Sequence, residues 1–282
     1  VAKKEGYGES PLIILRGAVE VIRYGSLGLL LGLSLLWGCA GEDTSEKLIF
    51  YCGAGMRRPV QEIVDRFQRE TGAQLEMIYA GSAVLLAQIE LKRAGDLYMP
   101  GDDSYIETAQ EKGLVHGEPL RVASFVPVIG VRKESPHRIE GLGDLATPGL
   151  KVGLGDPRAC AVGRMTEEIL ERAGLKDLVE GNVVMRSSTV VELGNALKLG
   201  TIDAAIIWDA TARLYPEEVE IVSIERVYNV IAPIEIGVLS FSEHPELSMS
   251  LARYLASSQG EEVFNRHGYT AASWREEEGE RK

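Results

Sequence analysis

Four junctions in the 282-residue sequence are built of small or hydroxyl-bearing residues: Gly53-Ala54-Gly55, Gly81-Ser82-Ala83, Ala159 to Gly163, and Ser187-Ser188-Thr189-Val190. Each stands where a loop should feed a helix. The first turn of a helix carries N–H groups without intrahelical acceptors and the positive end of the helix dipole, which suits a tetrahedral oxyanion. Small residues let the backbone come close to such a ligand. Any one junction reads equally as an ordinary N-cap, but four in one chain point to a binding site.

Other chemistries find less support. Gly53-Ala54-Gly55 is half of a dinucleotide fingerprint, but Arg58 stands where the third glycine belongs and Pro59 follows. Ser82 has Ala80 and Val84 around it, so it forms no nucleophile elbow. His116, His137, His244 and His267 are scattered without metal-ligand spacing, so neither a metal cation nor a cofactor is expected. Asp156 and Asp209 are the nearest acid/base candidates, and both read as loop-capping residues. The expectation is a binding protein, not an enzyme. Arg57, Arg58 and Arg158 could meet an organic acid, or could be solvated charges at helix ends.

The elements that must position these junctions are legible in the hydrophobic pattern. Leu48 to Tyr51 reads as a buried strand, and Val60, Ile63, Val64 and Phe67 as one apolar helix face ending at Gly72. Leu75 to Tyr79 predicts the next strand and Val84 to Lys92 the next helix. The same strand, turn and helix unit recurs over 151–173 and 183–199, followed by a buried strand over 204–208. Repetition of this unit predicts an α/β fold with parallel-type sheets and flanking helices. The extended stretches 122–131 and 230–239 are expected to carry the chain between two lobes. A final helix is expected around 247–267, then a charged, disordered tail over 276–282.

The formal charge is −12, and 45% of the residues are hydrophobic. A globular composition of that kind excludes wholesale disorder and coiled coil. Its acidity argues against nucleic-acid binding, which needs a basic stripe. A small anion is not excluded, because a local site can oppose the global field.

The ordered series of motifs resembles the periplasmic molybdate-binding proteins of ABC importers, from about Leu48 to Ala271. The strand Leu48 to Tyr51 with its loop and helix, closed by Gly72, is similar to the family's first ligand loop. Tyr79-Ala80-Gly81-Ser82 with Gln88-Ile89 is similar to the second, and Gly155-Asp156-Pro157 with Gly163 to the third. Asp96-Leu97-Tyr98, the segment Asp203 to Ala210, and Tyr254-Leu255 with Gly260, Phe264 and Gly268-Tyr269-Thr270 continue the likeness. The resemblance implies a two-lobed, type II periplasmic binding-protein fold. It implies a ligand cleft touching Gly55, Ser82, Val162, Val190 and Trp208, with Ala54, Arg57, Cys52, Cys160 and Thr189 as further lining. It also implies molybdate or tungstate as ligand, a permease as partner, and a monomer. Three residues depart from the family: Gly55 replaces a serine, Trp208 a tyrosine, and Cys160 stands where cysteine is unusual. Another oxyanion or a small organic acid is the alternative ligand.

The N-terminus reads as an export signal. Arg16 and Arg23 precede the uncharged run Gly25 to Gly38, which holds seven leucines. Fourteen residues are too few for a spanning helix, which needs about 20, but suit a signal-peptide core. Leu36-Trp37-Gly38-Cys39 resembles a lipobox, with Cys39 receiving the lipid; a short membrane-buried helix is the other reading. The chain opens on Val with no Met before Met56, so a non-AUG start and an over-extended N-terminus are expected. The expected layout is a signal peptide over 1–38, a lipid-anchored linker over 39–46, lobe I over 47–124 and 238–282, and lobe II over 125–237.

Overall fold

The computed structural model describes residues 47–271. The expected signal peptide, Cys39 with its linker, and the charged tail lie outside the described residues.

The described chain begins with strand β1 (Lys47–Gly53), whose last four residues are buried. A 3-10 turn (Ala54–Met56) leads into helix α1 (Arg57–Thr71), which buries Pro59, Val60, Ile63, Val64 and Phe67 on the predicted face. It stops at Gly72, whose φ of 77° is the left-handed conformation a glycine adopts freely. Then come β2 (Gln74–Ala80), α2 (Ser82–Lys92), β3 (Leu97–Met99), α3 (Asp103–Glu111), β4 (Val115–Phe125) and β5 (Pro127–Arg132). Next follow β6 (Val152–Gly155), α4 (Ala161–Arg172), α5 (Lys176–Glu180), β7 (Val183–Ser187), α6 (Val190–Lys198), β8 (Ala204–Trp208), α7 (Asp209–Ala212) and β9 (Val219–Ser223). The described chain closes with β10 (Ala232–Leu239), α8 (Pro245–Leu255), α9 (Ser258–Arg266) and β11 (Thr270–Ala271).

Among the described residues two sheets result, one per lobe. The first has the order β11-β4-β10-β3-β1-β2, the second β7-β6-β8-β5-β9. Within the first, β1 pairs in parallel with β2 and β3, whereas β10 runs antiparallel to β3 and β4. Within the second, β6 is parallel to β7 and β8, and β5 is antiparallel to β8 and β9. Both sheets are therefore mixed, where the helix-crossover pattern alone predicted parallel ones. The reversed strands are β5 and β10, each of which follows a lobe crossing, and β11, which runs antiparallel to β4.

The chain leaves the first sheet at Phe125, passes Val126, and enters the second at Pro127. It returns between Ser223 and Ala232. The expected boundary at 238 cuts through β10, which belongs wholly to the first sheet because Ala232 already pairs with Phe125. The single helix expected over 247–267 is two. Ser257 caps α9 by accepting the Gly260 N–H at 3.3 Å, and a Cβ on Gly260 would stand 2.1 Å from the Leu255 carbonyl oxygen. Only glycine fits that corner. Residues of both lobes, including Met56, Phe125, Val162, Val190 and Trp208, share one continuous apolar core.

Candidate functional site between the lobes

Three of the four junctions become true helix N-termini. Gly81, Cys160 and Thr189 are the N-cap residues of α2, α4 and α6. Ser82, Val162 and Val190 stand in the first turns, so their N–H groups lack intrahelical acceptors and find none elsewhere among the described residues. The fourth junction, Ala54 to Met56, is the 3-10 turn that feeds α1.

The sheet orders bring these turns to one place. Gly55, Ser82, Val162, Val190 and Trp208 all line a single cavity between the lobes, together with Ala54, Cys160 and Thr189. The space open to the centre of a water molecule is about 20 Å³; a single water needs about 10–15 Å³ by that measure. The cavity is a pocket for a small species. Among the described residues, its lining contains no lysine, arginine, histidine, aspartate or glutamate.

Each wall has a local cause. The Ser82 hydroxyl accepts the Gly101 N–H at 2.9 Å, which leaves its own hydrogen to donate elsewhere. The Tyr98 hydroxyl donates to the Ser82 carbonyl at 2.9 Å and anchors the same residue from behind. Trp208 is 2% exposed and stacks on Phe125 with ring centroids 4.5 Å apart and planes 10° from parallel. Its indole N–H makes no hydrogen bond among the described residues. Gly55 is hemmed in: a Cβ there would lie 3.1 Å from Val190 Cγ1, 3.3 Å from Phe125 Cζ and 3.5 Å from Trp208 Cδ1. A serine at this position would crowd Val190, Phe125 and Trp208.

The two lobes touch directly at the rim. The Ala83 N–H donates to the Ala159 carbonyl at 3.2 Å across the gap. A Cβ on Gly81 would sit 2.4 Å from both the Ala159 and Ser188 carbonyl oxygens. Glycine is therefore required there for the lobes to meet.

Some expected residues lie elsewhere. Cys52 is in the core of the first lobe, with its thiol directed at the Gly53 carbonyl at 3.6 Å, and burial raises its pKa. It does not line the cavity, because the central strand turns that side chain into the sheet–helix layer. Cys160 does line it, but its S–H points to the Asp156 and Ser187 carbonyls at 3.6 and 3.7 Å. Burial pushes that thiol up to about 11, so it is neutral. Both cysteines are free thiols. Arg57 turns outward, its guanidinium 4.1 Å from the Tyr79 ring centroid. Arg158 is exposed and paired to Asp156 at 2.8 Å, which holds the Asp156 carboxyl down at about 2. Arg58 opens onto a separate groove with Asp209 and Arg213. Burial raises Asp209 to about 6, and its Oδ1 has no hydrogen-bond partner among the described residues.

Sequence reasoning missed Met56, Gly101 and Phe125 as lining residues. Gly101 had a signal, since Pro100-Gly101-Asp102 is one more turn from a strand into a capped helix. Phe125 had none, because its role follows from where the chain crosses between sheets. Among the described residues no group of histidine, cysteine or acidic side chains could hold a metal ion, and no helix is long and apolar enough to cross a membrane.

Two mixed sheets flanked by helices and joined around a shared cavity define a two-lobed, type II periplasmic binding-protein fold. Residues 48–270 match the bacterial extracellular solute-binding protein family, and the chain belongs to it. A Haemophilus influenzae protein described only as a binding protein is 29% identical over 225 residues, covering 80% of this chain and 91% of that one. The Mycobacterium tuberculosis molybdate-binding protein ModA is 22% identical over 226 residues, covering 80% and 85%. Among solved structures, the sulfate-binding protein SubI of the same organism superposes with a TM-score of 0.71 at 16% identity, covering 79% of this chain and 86% of its own.

Proposed function

We propose that this protein is an extracytoplasmic receptor that encloses a tetrahedral metal oxyanion, molybdate or tungstate, between its lobes and delivers it to an ABC permease. One observation carries the reading. The cavity is small and offers hydrogen-bond donors from both lobes, with neither a carboxylate nor a cationic side chain in its lining. Ser82 contributes from the first lobe; Val162, Val190 and Trp208 contribute from the second. Such a lining satisfies a fully ionised oxyanion, which only accepts. A protonated phosphate would bring an O–H donor with no acceptor to meet it. Closure of the lobes assembles the donors and does no covalent chemistry.

Sulfate is the second reading, favoured by the same donor-only lining. A small organic acid is less well served, because Arg57, Arg58 and Arg158 all lie outside the cavity. A melting-temperature panel against molybdate, tungstate, sulfate, phosphate and small carboxylates separates these. Ligand at 1,000 times its dissociation constant adds about 4 kcal/mol of stability. The expected result is a large shift with molybdate and tungstate; no shift with any tetrahedral oxyanion would overturn the reading.

The same proposal includes tethering through Cys39. Cys39→Ala is expected to abolish lipid labelling and release the protein from the membrane fraction. Unchanged labelling would remove the anchor from the proposal.

A further inference from the structure

The carboxylate of Asp102 is fully buried at the boundary between the lobes. It caps α3 by accepting the Ser104 N–H at 3.0 Å, and the same Oδ1 accepts from the Ser104 hydroxyl at 2.5 Å and from Arg164 Nη2 at 2.7 Å. Arg164 belongs to α4 of the opposite lobe, and its side chain is 35% exposed. Asp102 Oδ2 and Arg164 Nε have no hydrogen-bond partner among the described residues. The pair lies beside the cavity without lining it. Gly101, which precedes Asp102, donates to the Ser82 hydroxyl, and Arg164 stands two residues after Val162.

We infer that Asp102 and Arg164 form an electrostatic latch that sets the balance between open and closed lobes, and so the residence time of the ligand. The hydrogen bonds Asp102 accepts from Ser104 lie within its own lobe and survive opening. The contact with Arg164 crosses the gap and does not. Separating the lobes returns Asp102 to water, where a carboxylate needs no partner. Bringing them together strips that water, and Arg164 is then the cation that compensates it. Its other near neighbours, Tyr98 and Tyr105, are neutral phenols whose pKa values are raised by burial. Closure without Arg164 would bury an uncompensated carboxylate, which is strongly unfavourable. The latch therefore couples closure to a charge match outside the ligand's own contacts. Asp102 and Arg164 are positioning residues.

The ligand arm of the test rests on the proposed function; the scattering arm does not. Ligand-free wild type, Arg164→Met, Arg164→Lys and the double variant Asp102→Asn/Arg164→Met are compared by small-angle scattering. Molybdate dissociation is followed by stopped flow. Arg164→Met is expected to raise the ligand-free radius of gyration and to speed dissociation by roughly 10- to 100-fold. Arg164→Lys keeps the charge and should stay near wild type. The double variant leaves no lone charge and should recover most of the closure lost in Arg164→Met, which a merely structural arginine would not allow. A ligand-free radius unchanged in Arg164→Met, or a double variant as open as Arg164→Met, would overturn the latch. Should wild type fail to bind molybdate, the ligand reading falls, while the scattering comparison still decides the latch.

Discussion

The indole of Trp208, the final residue of β8 in the second lobe, lies against the ring of Phe125, the final residue of β4 in the first. The stack spans the chain's own crossing point, so it holds the indole in one plane at the cavity wall. The indole N–H then points where the ring's packing dictates. Trp208→Phe keeps the wall and loses the donor. Calorimetry is expected to show affinity for the preferred oxyanion falling roughly 10- to 100-fold, the value of a hydrogen bond to a charged acceptor of about 1.5–3 kcal/mol. Trp208→Tyr restores a donor and should recover part of that loss.

Backbone donors predict an asymmetry between two neighbouring substitutions. Val190→Ala keeps its N–H at the start of α6 and is expected to change affinity less than about threefold, on the scale of weak side-chain effects. Ser82→Ala removes a hydroxyl donor and also strands the Gly101 N–H it now accepts. It should cost roughly 10-fold or more in affinity, with about 1–3 kcal/mol of ligand-free stability. Calorimetry and urea melts on the pair check this; equal affinity losses would contradict the backbone cradle.

Gly81→Ala should block closure and leave the lobes folded. Its Cβ would meet two carbonyl oxygens of the opposite lobe at 2.4 Å, and neither can move without shifting backbone. Far-ultraviolet circular dichroism is expected to match wild type while ligand binding is lost. Retained binding would mean that the rim contact is dispensable.

Asp209 predicts a pH signature of stability. Burial raises it from the usual 3.8 to about 6. Between those values the folded state binds more protons than the unfolded state, so stability falls as pH rises from about 4 to 6, then levels. Two units correspond to about 2–3 kcal/mol. Asp209→Asn should lack this decline, read as the difference between the two proteins' denaturant midpoints across pH 4–7. Parallel profiles would contradict it.

What the sequence determined was the local chemistry. Helix α1 with its Gly72 stop and the first turns at Ser82, Val162 and Val190 were readable because periodicity and capping act between residues a few positions apart. The tertiary structure decided what those turns do together. Gly55, Ser82, Val162, Val190 and Trp208 are spread over more than 150 positions of the chain. They share one cavity only because two mixed sheets face each other across a pair of chain crossings. The same packing sent Cys52 into the core and Cys160 to the cavity wall, and turned Arg57 onto Tyr79. It also drew Phe125 and Gly101 into the lining and joined Asp102 to Arg164 across the lobes. Strand order and side-chain facing depend on pairings between distant segments, which no local pattern encodes.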